Sequence, residues 1–334
     1  MTFALISLSF PDYPLWILLV FLAVGFVGLN YGGDFLTDGS VAIANNFHIN
    51  KVVIGLTIVS MATSMPEMIT SLLAARTSPG LAIGNIIGSN IANIALILGI
   101  AALITPLTVQ TRLIKRELPL MIFITGLFIL FAIGGYRRWE GFVMLVIMVT
   151  YLYFMVKLEK KDSARAREMH DGTPVEDKSH STFAGCMLIL LGCILLATGA
   201  DILVGTSVEL ASRMGISDVL IGLTIVALGT SLPELAASIS AARAGHQDIC
   251  VGNIVGSNLF NILLIGGVVI SLVPIPVDKN LFLFEFPAMM LIALIFLWLS
   301  TKGHQISSKE GLILLTLYVT ILTLSSFFQL NPIL

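Results

Sequence analysis

The sequence predicts an all-α integral membrane protein with ten transmembrane helices, arranged as two five-helix repeats of inverted topology. Three observations support this prediction. Of the 334 residues, 57% are hydrophobic and only 11% are charged, whereas soluble domains carry about 25% charged residues. Apolar stretches of about 20 residues, which is the length needed to cross a bilayer, occur ten times along the chain. The two halves of the chain also carry matching motifs.

The ten predicted spans are 15–36, 51–75, 81–104, 117–134, 140–157, 183–204, 218–242, 249–272, 281–299 and 309–328. The segment 159–181 differs from all of them, because it is dense in charge, contains Gly172 and Pro174, and has no hydrophobic periodicity. We expect it to be a cytoplasmic loop between a first repeat, 1–158, and a second repeat, 182–334.

The repeats are recognisable from two motifs that each occur twice. GLTIVSMATSMPE at 55–67 returns as GLTIVALGTSLPE at 222–234, and GNIIGSN at 84–90 returns as GNIVGSN at 252–258. The repeated regions extend over about 55–93 and about 222–261. Two copies of an odd number of spans must have opposite orientations in the bilayer, an arrangement common in secondary transporters.

Lysine and arginine predict the orientation, because cytoplasmic loops carry an excess of them. With the N-terminus outside, the inner loops hold 13 Lys and Arg residues and the outer loops hold 5. We therefore expect both termini outside and segment 159–181 in the cytoplasm, in a cell (inner) membrane.

A proline and a glutamate interrupt each copy of the first motif. Pro66 has no N–H, so a helix through it leaves carbonyls unpaired about four residues back, near Thr63. Glu67 follows, and a carboxylate inside a transmembrane helix marks a functional site by default. The second copy has the same arrangement at Thr230, Pro233 and Glu234.

The two carboxylates predict a site for a divalent cation. Inverted repeats bring Glu67 and Glu234 together near the bilayer midplane, where two bare carboxylates would repel each other. Ca²⁺ removes this repulsion, and it prefers six to eight oxygen ligands with tolerant geometry. The freed carbonyls of Thr63 and Thr230 would add ligands of the same kind.

The next span of each half supplies neutral oxygen donors. Asn85, Ser89 and Asn93 recur every four residues and therefore share one helix face. The second half repeats this face with Asn253, Ser257 and Asn261. Several weak oxygen sites in a row suit monovalent ions such as Na⁺.

At these residues the chain resembles the cation/calcium antiporters, and within them the sodium/calcium exchangers, whose two alpha repeats match the motifs above. The resemblance implies a central calcium site made of Glu67, Glu234 and the Thr63 and Thr230 carbonyls. It implies flanking sodium sites at Ser64, Ser231, Ser89 and Ser257, with Asn93 and Asn261 in the middle. It also implies three sodium ions exchanged for one calcium ion, and no cofactor.

Two positions bear on ion coupling within this resemblance. Some relatives, including potassium-dependent ones, have aspartate where this chain has Asn261, so we expect no potassium requirement. Ser60 stands where the second repeat has Ala227, and we expect little effect because the resemblance implies a backbone carbonyl ligand there.

The sequence favours a sodium/calcium antiporter that exports Ca²⁺ and is not an enzyme. One alternative is a Ca²⁺/H⁺ exchanger of the same fold, which is disfavoured because neither repeat has the GNxxE pattern of that branch. A cation channel is a second alternative, although two helix breaks with one carboxylate each suggest a carrier. An intramembrane enzyme is a third, but no HExxH or GxSxG motif supports it. The expected partners are Ca²⁺, Na⁺ and the lipid bilayer, without nucleic acid or an obligate protein partner.

Overall fold

The computed structural model describes residues 13–77, 79–169, 181–215 and 227–330, and these residues are almost entirely helical. The helices are α1 (Leu15–Phe47), α2 (Lys51–Thr63), α3 (Met65–Thr77), α4 (Pro79–Ile104), α5 (Leu118–Phe131), α6 (Arg138–Met169), α7 (Thr182–Arg213), α8 (Leu232–Arg243), α9 (Gln247–Leu272), α10 (Glu285–Thr301) and α11 (Ser308–Leu330). Two shorter helical pieces are Ala227–Gly229 and Asn280–Leu283, and the strands are β1 (Leu107–Thr108) and β2 (Gln305–Ile306).

Several helices contain one wider, π-helical turn. These turns lie at Gly55–Val59 in α2, Asn93–Ile97 in α4, Leu113–Glu117 before α5, and Asn261–Gly266 in α9. Single π turns are often found at functional sites. Here the turns in α4 and α9 begin at Asn93 and Asn261, which are two of the predicted site residues.

Seven of the described helices are long and apolar enough to cross a membrane, or eight if α2 and α3 form one bent span. The axes of α2 and α3 differ by 46° at their break. The prediction of ten spans is therefore not confirmed by this count. The predicted span 218–242 lies partly outside the described residues, and α5 has only 14 residues after its charged first turn.

Three helices are longer than the hydropathy pattern predicts, and one of them is α7, which continues to Arg213. Helix α1 continues to Phe47 and α6 continues to Met169, so the segment predicted as a loop from residue 159 begins as helix. The Lys, Arg, Ala and Glu residues of 159–169 are good helix formers, and the first glycine or proline after them is Gly172.

Helices α1 and α7 pack against each other through glycines. An added Cβ at Gly32 would lie 3.1 Å from the Gly192 carbonyl oxygen, and one at Gly39 would lie 2.7 Å from that of Gly185. Gly25 approaches the Gly199 carbonyl oxygen in the same way. The three contacts are seven residues apart on each helix, about 10.5 Å along the axis, and they run antiparallel. Glycine has no side chain and therefore allows the two backbones to approach this closely.

The centre of the molecule is formed by α4 and α9, most of whose residues are buried. On one side, α9 packs tightly against α2. An added Cβ at Gly252 would lie 2.7 Å from the Val52 carbonyl oxygen, and one at Gly256 would lie 2.7 Å from the Leu56 carbonyl oxygen. This contact holds the first half of the chain against the second and positions the polar residues described below.

Short β connections join the two halves outside the helices. Strand β1, which follows α4, pairs antiparallel with β2, which follows α10. Tyr136, which follows α5, forms an antiparallel bridge with Ile275, which follows α9. The repeat relation matches the loop after α4 to the loop after α9, and the loop after α5 to the loop after α10. The two connections are therefore copies of one another.

Candidate ion-binding site

The site begins at two breaks in helical structure that have the same geometry. Ser64 separates α2 from α3 with φ −83° and ψ 3°, and Ser231 precedes α8 with φ −91° and ψ 4°. Each break is followed within two residues by the proline of the repeated motif, as its missing N–H predicts. Glu67 and Glu234 therefore lie in the first turn of α3 and α8, where the helix dipole favours negative charge.

The two glutamates form a buried pair. Each is only 1% exposed, and Glu234 contacts Ser64, which lies three residues before Glu67. The Ser64 hydroxyl donates a hydrogen bond of 3.0 Å to Glu234 Oε1. Both carboxylate oxygens of Glu67 and Glu234 Oε2 are buried without a hydrogen-bond partner. Burying such charge is costly unless a cation compensates it.

Neutral polar side chains from α4 and α9 complete the surroundings. The Ser89 hydroxyl lies 3.5 Å from the Ser231 hydroxyl, and Asn261 Nδ2 donates to Ser89 Oγ at 3.1 Å. The structure thus brings α4, α9 and the turn before α8 together through three of the predicted residues. Ser64 joins Glu234 across the two halves in the same manner.

The remaining predicted residues are buried here with free polar atoms. Both amide atoms of Asn93, Oδ1 of Asn261, the Ser257 hydroxyl and the Thr230 hydroxyl have no hydrogen-bond partner. Buried polar atoms are normally paired, so the predicted site residues lack the partners that burial usually requires. Nearly all of them are oxygens, the donors that hard cations prefer.

The Thr63 side chain, unlike the unpaired atoms above, has hydrogen-bond partners. Its hydroxyl lies 3.4 Å from both Asn253 Oδ1 and the Ser60 carbonyl oxygen. The role expected for Thr63 and Thr230 concerns their carbonyls, and both residues lie immediately before the break in their helix. Their side chains are therefore not needed for that role.

Sequence reasoning did not identify the part played by Asn85 and Asn253. It grouped them with the ion-facing side chains, but Asn85 Nδ2 donates to Ser71 Oγ and Asn253 Nδ2 donates to Ser238 Oγ, each at 3.0 Å. These bonds tie α4 to α3 and α9 to α8. Ser71 and Ser238 are themselves repeat equivalents, and this was the available signal for the pairing.

The two halves differ on either side of the site. Gly252 and Gly256 of α9 are buried against α2, whereas their equivalents in α4, Gly84 and Gly88, are exposed. An added Cβ at Gly84 or Gly88 would meet no described atom within 4 Å. The Ser60 hydroxyl reinforces the closed side, because it lies 2.7 Å from the Gly55 carbonyl oxygen and 2.9 Å from that of Asn253.

Comparison with known proteins shows similarity over nearly the whole chain. The family described as "Sodium/calcium exchanger protein" matches residues 17–157 and 185–327. Sodium/calcium exchanger MaX1 of Methanosarcina acetivorans is 32% identical over 336 residues, covering 90% of this chain and 96% of that protein. Inner membrane protein YrbG of Escherichia coli K12 is 34% identical over 318 residues, covering 94% and 97%.

A solved structure is also similar to this chain over most of its length. The sodium-calcium exchanger NCX_Mj, soaked with zero Na⁺ and Ca²⁺, has a TM-score of 0.80 and 30% sequence identity to this chain. The alignment covers 92% of this chain and 99% of that one.

Proposed function

Because the chain belongs to the sodium/calcium exchanger protein family, we propose that it is an antiporter that exports Ca²⁺ in exchange for Na⁺. The observation that carries the proposal is the buried pair Glu67 and Glu234, three of whose four carboxylate oxygens have no partner. A transported dication would compensate both charges. Departure of the dication would restore their repulsion unless other cations replaced it, and this requirement couples the two ion flows.

In this proposal, Ca²⁺ is held by the carboxylates of Glu67 and Glu234 and by the carbonyls of Thr63 and Thr230. The unpartnered carboxylate oxygens support the first half of this set. Na⁺ ions bind at the neutral oxygens on either side, at Ser64, Ser231, Ser89 and Ser257, with Asn93 and Asn261 in the middle.

The proposed architecture is ten transmembrane helices in two inverted repeats, 1–158 and 182–334. It is supported by the matching breaks at Ser64 and Ser231 and by the paired asparagine–serine hydrogen bonds. The protein would lie in the cell membrane with both termini outside and segment 159–181 in the cytoplasm. YrbG, a relative of similar length, is named as an inner membrane protein.

Sodium rather than proton coupling is proposed because the relative MaX1 is named as a sodium/calcium exchanger and because GNxxE is absent from both repeats. Alternating exposure of the site to the two sides of the membrane would carry the exchange. The packing of the α9 glycines on α2 supports two such arrangements, since the equivalent glycines of α4 are exposed.

The test is uptake of ⁴⁵Ca²⁺ into sodium-loaded proteoliposomes, with sodium then replaced by potassium or choline. We expect uptake only with internal sodium. Glu67→Gln and Glu234→Gln keep the shape of the side chain but remove one of the two charges, so each should abolish exchange while the protein remains folded. Glu285→Gln is the control, since Glu285 lies in α10 with its Oε1 accepting a hydrogen bond from Ser325 and should retain uptake.

Three outcomes would contradict the proposal. Normal exchange in both glutamate variants would show that the transported ions do not bind at these carboxylates. Uptake driven by a pH gradient without sodium would identify a Ca²⁺/H⁺ exchanger. Calcium flux that needs no counter-ion would identify a channel.

A further inference from the structure

A groove of about 480 Å³ opens between the beginning of α5 and the middle of α6. It shares no lining residue with the ion site, and its walls are mostly apolar. They are formed by Leu120, Val146, Ile147, Phe154 and Met155. Val146 and Phe154 are 65% and 51% exposed, so the groove opens on the lipid-facing surface of the protein.

One end of the groove is polar and carries unsatisfied groups. Glu117 lines it and is only 2% exposed. Its Oε1 accepts from Arg112 Nε at 3.4 Å, but its Oε2 is buried without a partner. Tyr151 also lines the groove, and its hydroxyl is buried without a partner. A headgroup that reaches this end meets an acceptor at Glu117, since a carboxylate can only accept.

The charges around this end are balanced and separated. Arg112 pairs with Glu117 and, at 2.6 Å, with Glu159 Oε2. Arg116 lines the groove and is exposed at its mouth. Two arginines and two glutamates cancel formally, so the end of the groove presents a cationic side chain beside an anionic oxygen. This pattern complements a zwitterion rather than an anion.

We propose that the groove binds phosphatidylethanolamine from the surrounding leaflet. Its phosphate accepts hydrogen bonds from Arg116 and the Tyr151 hydroxyl, and its ammonium donates to Glu117 Oε2. An acyl chain lies along Leu120, Ile147 and Phe154. Arg116 stands at the start of a membrane helix, the level at which basic side chains reach lipid headgroups. This inference concerns a second binding site and does not depend on which ions are exchanged.

The headgroup chemistry makes the proposal specific. Phosphatidylcholine has the same charges but no N–H, so it cannot donate to Glu117. Phosphatidylglycerol has hydroxyl donors but no cation, and its net negative charge would lie against a buried carboxylate. Phosphatidylethanolamine alone among these three provides both an anion for Arg116 and a charged donor for Glu117.

The experiment is native mass spectrometry of the purified protein titrated separately with the three lipids. We expect phosphatidylethanolamine to be retained most strongly. Glu117→Gln should lower its binding about tenfold and remove the preference over phosphatidylcholine, because a charge-assisted hydrogen bond is lost. Arg116→Gln should weaken the binding of all three lipids, since they share the phosphate.

A second pair of variants tests the groove without altering its charges. Ile147→Trp should fill the groove and displace the lipid, whereas Val149→Trp, at a 68% exposed position of α6 that does not line the groove, should not. Equal binding of phosphatidylethanolamine and phosphatidylcholine would overturn the proposal, as would a preference for phosphatidylglycerol. Unchanged binding in folded Glu117→Gln and Ile147→Trp would do so as well.

Discussion

At the scale of single residues, the two buried glutamates are copies in sequence but have different neighbours. Glu234 accepts a hydrogen bond from Ser64, a residue of the other half, whereas neither carboxylate oxygen of Glu67 has a partner. Ser231, the repeat equivalent of Ser64, instead lies beside Ser89. Repeat symmetry therefore positions the groups but does not make their environments equal.

Asn261 offers a test of how charge in the site sets its ion dependence. Its buried amide donates to Ser89, and an aspartate here would place a third carboxylate beside Glu67 and Glu234. That carboxylate would have to be protonated or paired with an added cation. We predict that wild-type exchange needs no potassium and varies little between about pH 6 and 8, and that Asn261→Asp gains pH sensitivity.

The measurement is sodium-dependent calcium flux across that pH range, with and without potassium, in both proteins. A wild type that requires potassium would show that this residue does not decide potassium coupling. Identical pH profiles would show that position 261 is electrostatically remote from the carboxylates.

Much of the site could be predicted from sequence because its chemistry is local. A proline, a glutamate and a hydroxyl within four residues indicate a helix break and a cation ligand without knowledge of the fold. The pairing of Ser64 with Glu234 could not be predicted in this way, since it joins residues 170 apart in the chain. The bonds of Asn85 and Asn253 join residues only 14 and 15 apart, but they depend on how neighbouring helices pack.

At the scale of helices, equivalent glycines have unequal surroundings and predict unequal mutational effects. An added Cβ at Gly256 would collide with Ser60 Oγ and lie 2.8 Å from Leu56 Cα. We expect Gly256→Ala to separate α9 from α2 and to lower the free energy of unfolding by about 1–3 kcal/mol. The melting temperature of the purified protein should fall by several degrees as a result.

Gly88→Ala is the matched control, because it makes the same change at the repeat-equivalent position, where no described atom lies within 4 Å of an added Cβ. Its melting temperature should stay near that of the wild type. Equal melting temperatures for the two variants would contradict the unequal packing of α4 and α9.

Helix breaks were predictable, but helix lengths were not. The prolines after Ser64 and Ser231 act within one turn, so the breaks follow from sequence alone. The extension of α6 to Met169 was missed because a hydropathy window predicts only the apolar part of a helix. The helix itself can continue beyond that part. The same limitation applies to α1, whose last residues include Asn45 and Asn46.

At the scale of the whole molecule, orientation in the membrane can be measured directly. In a background where Cys186, Cys193 and Cys250 are replaced by alanine, we introduce either Lys279→Cys or Gly303→Cys, both at exposed loop positions. The excess of basic residues predicts that an impermeant thiol reagent labels the first in intact cells and the second only after permeabilisation. The reverse pattern would invert the proposed topology.

The exchange of three Na⁺ for one Ca²⁺ that the family resemblance implies predicts a response to voltage. Two carboxylates give the empty site a charge of −2, so one Ca²⁺ neutralises it and three Na⁺ leave it at +1. Each cycle would move one elementary charge, worth about 2.3 kcal/mol per 100 mV. A potassium diffusion potential set with valinomycin should therefore speed or slow ⁴⁵Ca²⁺ uptake according to its sign. Uptake that ignores the potential would indicate a neutral exchange of two for one.

The Ser60 hydroxyl has a consequence for the resting state of the transporter. In the proposed transport cycle, two nearly symmetric arrangements alternate. In one, α2 packs on α9 and Ser60 bonds to the Asn253 carbonyl oxygen. In the other, the repeat equivalents would pack together, and Ala227 has no hydroxyl to offer to Asn85. One hydrogen bond contributes a net of about 0.5–1.5 kcal/mol, so the arrangement containing the Ser60 bond would be favoured about two- to tenfold. We therefore expect the arrangement in which α2 packs on α9 to be the more populated one, and Ser60→Ala to reduce that preference.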